Sequence, residues 1–599
     1  MGFDFLDLHK SQLKSSGVPE CHWDALKLKL EKEIFDAGDH LRIVKVDHED
    51  ERGRYDPAFG LQALHDISKD DPQNIFLIDH CWTYKASDLR KQLMENEYLR
   101  RRLVAMFDFN NSQPQEKLVQ DIYDYSWKVS GMYTITSNAE AEDRVPIWYI
   151  MDEVGTAVCH SVNANCRIVP FVYLPEQTTY SLLFFIKDLD KEDIVFRDYA
   201  EFENDPIKKS AALLCWQPKD FTSYSTEAPI QGSEYYLSGH IKETLPKTVE
   251  IKRTEKTKYK VFSQYQLIYD YLKDERFELV DSEDEADILW YIDHFRDFEK
   301  LSDTPDKLVN QFPYEYVITV KDLLCMTCRR HKNDDDDDDD NNDDHWFPIT
   351  YNLKIEVQHF LSYFQQREKK GLDNYWICKP YNLARGLDMY ITNNIDLLMR
   401  MPETGPKIVQ KYITNPVLFH RDDIGERVKF DIRYVLLLKS TKPLKAYAYK
   451  QFFLRFANKS FSLSDFDVYD KHFTVMNYQE GIPLAKILAK DFKDIWAKQY
   501  SNYPWDTIEK SILKMFREIF ECAVQELPPC GIAASPQSRA LYAADIMLHW
   551  TNSSLIQPKI LEINFAPDCK RACEYYPDFY NNIFQLLFLD EESDEFFEL

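Results

Sequence analysis

The sequence predicts a multidomain protein of mixed α/β and α+β class, with a β-rich N-terminal half and a C-terminal half in which helices and strands alternate. Three observations predict it. Apolar runs of strand length crowd residues 130–200, alternating elements follow an acidic run near residue 340, and a turn-rich, basic stretch separates the halves near residue 245. The 599 residues are enough for several sizeable cores. We therefore place the domains at 1–245 and 246–599.

The chain is strongly acidic, with 101 Asp and Glu against 73 Lys and Arg and a net charge of −28. Such a surface repels nucleic acid and anionic membranes, so we expect neither as a direct partner. No apolar run reaches the roughly twenty residues of a membrane span, and the start "MGFDFLDLHK" lacks the apolar core of a signal peptide. Twelve scattered cysteines favour a reducing compartment. The sequence therefore predicts a soluble, cytoplasmic protein.

The N-terminal half begins with a helical pattern and continues with strands. Residues 1 to about 65 show helical apolar spacing, as in "WDALKLKLEKEIFDAG". One further amphipathic helix, with a basic and solvated face, is predicted for "LRKQLMENEYLRRRLVAMFDF". Strands follow in "GMYTITS", "VPIWYIM", "RIVPFVYL" and "YSLLFFI". These strands predict a compact β-rich domain.

Two unusual features lie in the first part of the C-terminal half. The run Asp334–Asp340 predicts a disordered acidic loop near 333–344, interpreted as a solvated insertion, with mimicry of an acidic protein tail as the alternative. Cys325 and Cys328 in "CMTC" have zinc-ligand spacing, with His331 as a nearby third ligand. Two ordinary thiols at the end of a helix are the simpler interpretation.

The stretch "NYWICKPYNLARGLDMYITNN" predicts a strand, a loop and a second strand. Lys379 follows the buried run "NYWIC", and an ammonium group at the end of a buried strand needs an anion. Arg385 and Gly386 add a guanidinium and a flexible backbone in the next loop, a combination suited to phosphate oxygens. The following strand, "KIVQKYITNP", could present its backbone to the edge of a flat base such as adenine.

The remaining charged residues of interest lie in three apolar strands. Lys429, Asp431 and Arg433 alternate along "KFDIRYVLLLK" and share one face, where three charges are costly unless they bind something. Asp545 lies in "ADIMLHW", while Glu562 and Asn564 share a face of "KILEINFAP". Two carboxylates and an amide oxygen are hard ligands suited to Mg²⁺ bound to nucleotide phosphates. Each block alone is common, whereas the ordered set is specific.

The ordered blocks "WICKP", "ARG", "QKYITNP", "KFDIRYVLLL", "YAADIML" and "LEINFAP" resemble the tubulin tyrosine ligase-like family over residues 250–599. The resemblance implies an ATP-grasp fold for 246–599, with ATP and Mg²⁺ as cofactors. By position it implies phosphate contacts for Lys379 and Arg385, the adenine pocket for Gln410, Lys411, Tyr412 and Ile413, nucleotide contacts for Lys429, Asp431 and Asn477, reacting groups for Arg433 and Arg455, and Mg²⁺ for Asp545, Glu562 and Asn564.

Two segments of the N-terminal half resemble, in order, two signatures of SET methyltransferase domains: "CHSVNANCRIV" and "EDIVFRDYA". No glycine-rich cofactor loop precedes them. The resemblance implies a SET-like scaffold that does not use S-adenosylmethionine, with a working methyltransferase and an unrelated β-rich domain as alternatives. The residues that fit the signatures are His160, Ser161, Asn163, Asn165 and the catalytic-type Tyr199, and those that depart are Cys159, Val162 and Ala164.

The ligase resemblance implies a reaction and partners. Members of the family use ATP to convert a protein carboxylate into an acyl phosphate, which an amino acid amine then attacks. This chemistry asks the protein mainly for positioning and charge neutralisation, and no general base can be assigned from the sequence. The resemblance implies tubulin as the partner, with histones or other regulatory proteins as further candidates. It also adds the centrosome and the nucleus to the cytoplasm as candidate locations.

Three departures from the family pattern weaken the case for catalysis. Asp388 stands where the phosphate loop usually has a second glycine, which places a carboxylate near phosphate oxygens and removes freedom to adopt positive φ. Met476 replaces a threonine in "TVMN", although Asn477 is retained, and the acidic surface is unsuited to acidic tubulin tails. We therefore predict an ATP-binding pseudo-ligase that regulates tubulin modification by interaction. An active ATP- and Mg²⁺-dependent protein–amino acid ligase is the alternative.

Overall fold

The structure is a computed structural model, and it describes residues 5–45, 59–134, 145–239, 242–248, 256–330, 345–381, 388–474, 486–552 and 554–599. Several predictions fall outside the described residues. They concern the acidic loop near 333–344 and the residues His331, Arg385, Met476 and Asn477.

The helices are given in chain order. They are α1 (Phe5–Ser15), α2 (Trp23–Glu31), α3 (Ala37–His40), α4 (Leu89–Glu95), α5 (Glu97–Met106), α6 (Gln115–Val129), α7 (Glu153–Thr156), α8 (Pro206–Ala212), α9 (Ser233–Leu237), α10 (Gln266–Tyr271), α11 (Phe298–Leu301), α12 (Tyr316–Thr319), α13 (Lys321–Arg329), α14 (Val357–Lys369), α15 (Ile395–Arg400), α16 (Tyr469–His472), α17 (Ala489–Gln499), α18 (Trp505–Gln525), α19 (Lys570–Tyr575) and α20 (Phe579–Phe588).

The strands follow in the same way. They are β1 (Leu41–Lys45), β2 (Phe59–Ala63), β3 (Ile75–Ile78), β4 (His80–Tyr84), β5 (Ser130–Tyr133), β6 (Ile147–Met151), β7 (Cys159–His160), β8 (Cys166–Tyr173), β9 (Thr178–Phe185), β10 (Phe196–Arg197), β11 (Tyr259–Ser263), β12 (Phe277–Leu279), β13 (Ile288–Trp290), β14 (Leu308–Val309), β15 (Thr350–Asn352), β16 (Trp376–Pro380), β17 (Tyr390–Thr392), β18 (Lys407–Lys411), β19 (Phe419–Arg421), β20 (Glu426–Val428), β21 (Phe430–Thr441), β22 (Leu444–Tyr449), β23 (Phe453–Phe456), β24 (Ala540–Trp550), β25 (Ile556–Phe565) and β26 (Phe596–Glu598).

The chain divides into two compact units. The N-terminal unit comprises Met1–Thr226 with two later insertions, Leu353–Asn374 and Thr392–Lys407. The C-terminal unit comprises Glu227–Asn352, Tyr375–Ile391 and Ile408–Leu599. The domain boundary that we place near residue 245 stays a prediction. No helix in the described ranges is both long and apolar enough to cross a membrane.

Two of the helices predicted for the N-terminal unit differ from those in the structure. The helical expectation for residues 1 to about 65 is wrong at 41–45 and 59–63, where β1 and β2 form an antiparallel pair. The single helix predicted for "LRKQLMENEYLRRRLVAMFDF" is two helices, because Asn96 ends α4 and caps α5. Its Oδ1 accepts a hydrogen bond from the Leu99 N–H at 3.0 Å, and an asparagine that caps a new helix interrupts the preceding one.

The four strands predicted for the β-rich domain are confirmed as β5, β6, β8 and β9. Together with β3 and β4, these strands form two antiparallel sheets of order β3-β9-β8 and β4-β6-β5. Strand β9 is buried on both faces, since Leu183 and Phe185 belong to one apolar core while Leu182 and Phe184 belong to another. The period of two thus places one strand between two cores, which explains the unbroken apolar run "LLFF".

The C-terminal unit combines a parallel and an antiparallel sheet. Strands β12, β11, β13 and β14 form a parallel sheet, and β25, β24, β21, β22 and β26 form an antiparallel sheet in which β23 also pairs with β21. A third sheet has the order β15-β18-β16-β17. Strand β21 is twelve residues long, and its first residues pair with β23 on one side and β24 on the other, while β22 pairs with its second half. The charged residues near its start therefore lie between β23 and β24.

Candidate nucleotide site

Strand register brings most of the predicted charged residues together in the C-terminal unit. Across β21 and β24, Arg433 lies opposite Asp545, and across β24 and β25 Asp545 lies opposite Glu562. Asp431 lies opposite Arg455 across β21 and β23. Residues directly opposite each other on antiparallel strands lie on the same face of the sheet. The register that the hydrophobic pattern sets therefore also places these charged residues side by side.

A buried network of two arginines and two aspartates forms the centre of the site. Arg433 donates from Nε and Nη2 to the two carboxylate oxygens of Asp545 at 2.7 and 2.8 Å. Arg455 bridges both aspartates, with Nε 2.7 Å from Asp431 Oδ1 and Nη2 2.8 Å from Asp545 Oδ2. Thr474 donates its hydroxyl to Asp431 Oδ2. The charges of the network cancel, which offsets the cost of burying them.

The two aspartates of this network differ in acidity. Burial alone would raise the pKa of Asp545, but the guanidinium groups of Arg455 and Arg433 outweigh it and hold the pKa well below its usual range. Burial raises the pKa of Asp431, and the attraction of Arg455 only partly opposes that effect. Asp545 therefore stays ionised at neutral pH, as a metal ligand must be.

The predicted magnesium ligands lie within reach of one another. Asn564 Nδ2 is 3.4 Å from Asp545 Oδ2 and 3.3 Å from Glu562 Oε1. Glu562 Oε2 pairs with Lys321 Nζ at 3.2 Å. Burial works to raise the pKa of Glu562, but Lys321 and Lys379 outweigh it and lower the pKa. The two ionised carboxylates are hard donors of the kind that Mg²⁺ prefers. Asn564 here turns its amide nitrogen toward them, and its oxygen would join the set only after the amide rotates.

Lys379 is buried on β16 with a neutral partner. Its Nζ donates to Gln410 Oε1 at 2.7 Å, and Gln410 Nε2 in turn donates to Thr350 Oγ1 at 3.0 Å. Burial lowers the pKa of Lys379 to about 8. Gln410 therefore contacts the predicted phosphate lysine through its side chain, in addition to any contact with a base.

Lys429 is 2% exposed and likewise has a neutral partner. Its Nζ donates to the Tyr412 hydroxyl at 2.7 Å, and that hydroxyl then points its proton at His472 Nδ1, 3.0 Å away. Burial and the nearby Lys379 lower the pKa of Lys429 to about 7. Among the residues that the structure describes, no carboxylate lies within ion-pair distance of Lys379 or Lys429. Glu562 and Asp545 raise the pKa of Lys379, and Asp431 raises the pKa of Lys429, but these longer-range attractions do not offset burial.

The strand predicted to contact adenine, β18 with the residues that follow it, has two different faces. Gln410 and Tyr412 face the two buried lysines, whereas Lys411 lies on the opposite face with Nζ 3.3 Å from the Tyr375 carbonyl. The N–H groups of Lys411 and Tyr412 donate to the carbonyls of Ile349 and Tyr375. Those two donors are therefore engaged within the protein, and the buried Ile413 follows them.

The backbone conformation of Asp388 differs from the one predicted from the sequence. The residue is buried and adopts φ +53°, so it occupies the left-handed region that a glycine would have supplied. Aspartate is among the residues that enter this region most readily, because its short side chain bonds locally. The expected loss of positive φ is wrong, and what remains of this departure is the negative charge.

Three residues of the site were missed from the sequence. Lys321 is the first residue of α13, Thr474 follows α16, and His472 ends that helix. Lys321 reaches the strands from α13, whereas His472 and Thr474 reach them from one segment at the end of α16. The sequence signal for Lys321 is a lysine that directly follows the β-branched run "VITV".

The two SET-like segments also meet. Strands β7 and β10 pair in parallel, with Phe196 beside Cys159 and Arg197 beside His160. The Tyr199 N–H donates to His160 Nδ1 at 3.1 Å, and the Tyr199 hydroxyl donates to the Val158 carbonyl at 2.8 Å. The catalytic-type tyrosine is therefore engaged by the backbone.

Other residues of the first SET-like segment hold its turns. Asn165 bonds the backbone of Ile194 and Phe196 through both ends of its amide, and Ser161 Oγ accepts from the Asn163 N–H at 3.1 Å. Val162 is exposed, and the structure gives Ala164 no specific role.

The two thiols of "CMTC" lie buried in α13. Cys325 Sγ is 3.4 Å from the Thr350 carbonyl and 3.2 Å from Arg329 Nη2. Over the described part of the chain, no cluster of three or more His, Cys, Asp and Glu side chains has metal-binding geometry.

Comparison with known proteins identifies both halves of the chain. The tubulin-tyrosine ligase family matches residues 299–595, and the tubulin tyrosine ligase SET-like domain matches residues 62–220. These matches confirm the predicted ATP-grasp-like C-terminal and SET-like N-terminal domains.

Full-length relatives point the same way, and all three are called tubulin–tyrosine ligase-like protein 12. The mouse protein is 41% identical over 617 residues, covering 99% of this chain and 95% of the relative. The human protein is 40% identical over 620 residues, covering 98% and 94%. The Caenorhabditis elegans protein is 35% identical over 656 residues, covering 98% and 97%.

Proposed function

The chain belongs to the tubulin-tyrosine ligase family, and from that premise we propose that it binds ATP with Mg²⁺ and regulates tubulin modification as a catalytically impaired ligase. Tubulin is the proposed partner, and a histone or another regulatory protein is the further candidate. The proposed location is the cytoplasm, with the centrosome and the nucleus as additional compartments.

The observation that carries the proposal is the pair of buried lysines, Lys379 and Lys429. Each donates to a neutral oxygen, at 2.7 Å in both cases, and burial lowers both pKa values. A polyphosphate placed between them would supply the missing negative charge and draw both groups to the ammonium form. If the two lysines had only a structural role, burying them would lower the stability of the fold and would provide no binding function.

The donor set beside the lysines supports Mg²⁺. Asp545, Glu562 and Asn564 would hold the ion, and when bound it would neutralise negative charge on the nucleotide phosphates. Lys321 already neutralises Glu562 at 3.2 Å, so this lysine would shift toward a phosphate oxygen as the carboxylate turns to the ion.

Two features favour impaired catalysis. The negative charge of the buried Asp388 lies in the predicted phosphate loop and opposes the binding of phosphate oxygens. The guanidinium groups of Arg433 and Arg455 already donate hydrogen bonds to Asp431 and Asp545. To hold a reacting carboxylate, the two arginines would have to release these buried partners.

The alternative is an active protein–amino acid ligase. The left-handed conformation of Asp388 favours it, because the backbone keeps the course that a glycine would give. The presence of both arginines and all three metal ligands favours it equally.

A turnover assay separates the two candidates. Purified protein is incubated with tubulin, Mg²⁺, ATP and a panel of labelled amino acids, and incorporation is measured beside ATP binding by calorimetry. We expect saturable Mg²⁺-ATP binding with incorporation far below that of an active family member run in parallel. Incorporation at the rate of that enzyme would establish the alternative, and absence of ATP binding would refute both. The Arg433→Gln protein is the control for background incorporation.

A further inference from the structure

Helix α9 places two adjacent tyrosines into the C-terminal unit, each with a different partner. Tyr235 donates its hydroxyl to Asp322 Oδ2 at 2.7 Å and accepts a hydrogen bond from Asn352 Nδ2 at 2.8 Å. Tyr236 is fully buried, and its hydroxyl accepts from Arg330 Nη2 at 2.8 Å. The two residues therefore lie on the same helix and each carries a hydroxyl group, but they bind different parts of the fold.

The Tyr235 hydroxyl also reaches the end of the lysine strand. Tyr381 follows directly after β16. Burial and the nearby Asp322 raise the pKa of its hydroxyl, and the side chains of Asn352 and Tyr235 lower it, so these three residues surround the end of the strand. Lys379 lies two residues before Tyr381, on the same strand. The polar cluster of Tyr235, Asn352, Asp322 and Tyr381 thus fixes the backbone at the point where the phosphate lysine leaves the sheet.

The same cluster joins the other elements around Lys379. Asn352 ends β15, which pairs with β18 beside the Gln410 that accepts from Lys379. Asp322 follows Lys321, the partner of Glu562. One hydroxyl group therefore ties together β15, β16 and the start of α13, three of the elements that carry the candidate site.

We infer that Tyr235 is a positioning residue for Lys379, an inference that rests on the proposed nucleotide site. Its hydroxyl sets where β16 ends and hence where the Lys379 ammonium lies relative to Gln410 and a bound phosphate. Helix α9 lies between the SET-like match, which ends at residue 220, and the ligase match, which begins at residue 299. The segment that joins the two domains in sequence is therefore itself a support of the nucleotide site.

Removing the hydroxyl has a defined consequence. In Tyr235→Phe, Asp322 Oδ2 loses a donor, Asn352 Nδ2 loses an acceptor, and Tyr381 loses the nearby hydroxyl of Tyr235. The end of β16 gains freedom, and a displaced ammonium forms a weaker contact with a phosphate oxygen. We expect Mg²⁺-ATP affinity to fall about fivefold to thirtyfold.

The experiment compares Tyr235→Phe with Tyr236→Phe, a matched control that removes a buried hydroxyl from the same helix without touching Tyr381. Mg²⁺-ATP affinity is measured by calorimetry and thermal unfolding by scanning calorimetry. Backbone amide exchange of residues 376–381 is followed in nucleotide-free protein. Tyr235→Phe should speed that exchange and weaken ATP binding, while Tyr236→Phe should change affinity by less than about twofold at a similar loss of thermal stability.

A second variant keeps the test decisive if Tyr235→Phe folds poorly. Tyr381→Phe removes the other end of the contact, and in the double variant the two losses of affinity should not add, because both break one interaction. Additive losses, or unchanged exchange at 376–381 in Tyr235→Phe, would overturn the assignment. If wild-type protein binds no ATP while exchange still accelerates in Tyr235→Phe alone, the proposed nucleotide function is lost but the positioning of β16 stands.

Discussion

Replacing Lys429 by methionine should stabilise the nucleotide-free protein and abolish Mg²⁺-ATP binding. Lys429 is buried, its Nζ donates to the Tyr412 hydroxyl at 2.7 Å, and its pKa falls from the ordinary 10.5 to about 7. Methionine has a similar length and no charge, so it fills the same space without the cost of a buried cation. Tyr412 still donates to His472 Nδ1 in the variant.

The magnitude follows from linkage between protonation and folding. Between pH 7 and 10.5 the unfolded chain binds a proton at Lys429 that the folded chain lacks, so the free energy of unfolding rises with pH in this window. The lowered pKa corresponds to at most about 5 kcal/mol of lost stability at pH 7. The hydrogen bond to Tyr412 is worth about 1 kcal/mol, which the variant gives up. We expect Lys429→Met to be about 2–4 kcal/mol more stable at pH 7 and nearly equal to wild type at pH 10.

Thermal unfolding of wild type and Lys429→Met across pH 7–10, with and without Mg²⁺-ATP, measures both effects. Lys445→Met is the matched control, because Lys445 lies exposed on the neighbouring β22 and its removal should change neither stability nor binding. Wild type should gain stability from the nucleotide, and Lys429→Met should not. A less stable variant at pH 7, or a stability difference that does not shrink with pH, would show that Lys429 is a satisfied structural cation.

Three further predictions concern the same two domains. Glu562→Gln should weaken Mg²⁺-ATP binding, because it removes a charged ligand and the partner of Lys321; equal affinities by calorimetry would exclude Glu562 from the site. Asp388→Gly should raise ATP affinity or turnover by about tenfold, since a carboxylate near a phosphate oxygen costs roughly 1–3 kcal/mol, and Met476→Thr beside it should raise them further; no change in ATP hydrolysis or amino acid incorporation would make Asp388 a bystander. The N-terminal domain should not bind S-adenosylmethionine in a calorimetric titration, as Tyr199 donates to the backbone of Val158; saturable binding with methyl transfer to a histone would contradict this.

The strands of the candidate site could be predicted because strand periodicity and burial act locally. Alternation along "KFDIRYVLLLK" and "KILEINFAP" fixes which side chains share a face, and the pairing of Arg433 with Asp545 and of Asp545 with Glu562 follows once the strands are neighbours. The order of the blocks supplied the family and hence the fold.

What could not be predicted depends on tertiary structure. Lys321 and His472 reach the site from helices whose position relative to the sheet leaves no mark in the local pattern. The break at Asn96 reflects a side chain that caps a new helix inside an otherwise continuous amphipathic run. At Asp388 the tertiary structure imposes a left-handed conformation, although aspartate in place of glycine predicts that positive φ is avoided.

The network of Arg433, Asp545, Arg455 and Asp431 has a consequence for how this lineage can change over evolutionary time. Each member neutralises another in the interior, and removing one partner of a buried ion pair costs about 3–5 kcal/mol. A lineage no longer selected for ligation therefore cannot lose these residues one at a time, because each single loss is penalised through folding. Exposed and loop positions drift first, while the arginines and aspartates persist. Retention of the full set in a descendant is thus evidence of selection for a folded domain, and it says nothing by itself about whether that descendant still catalyses.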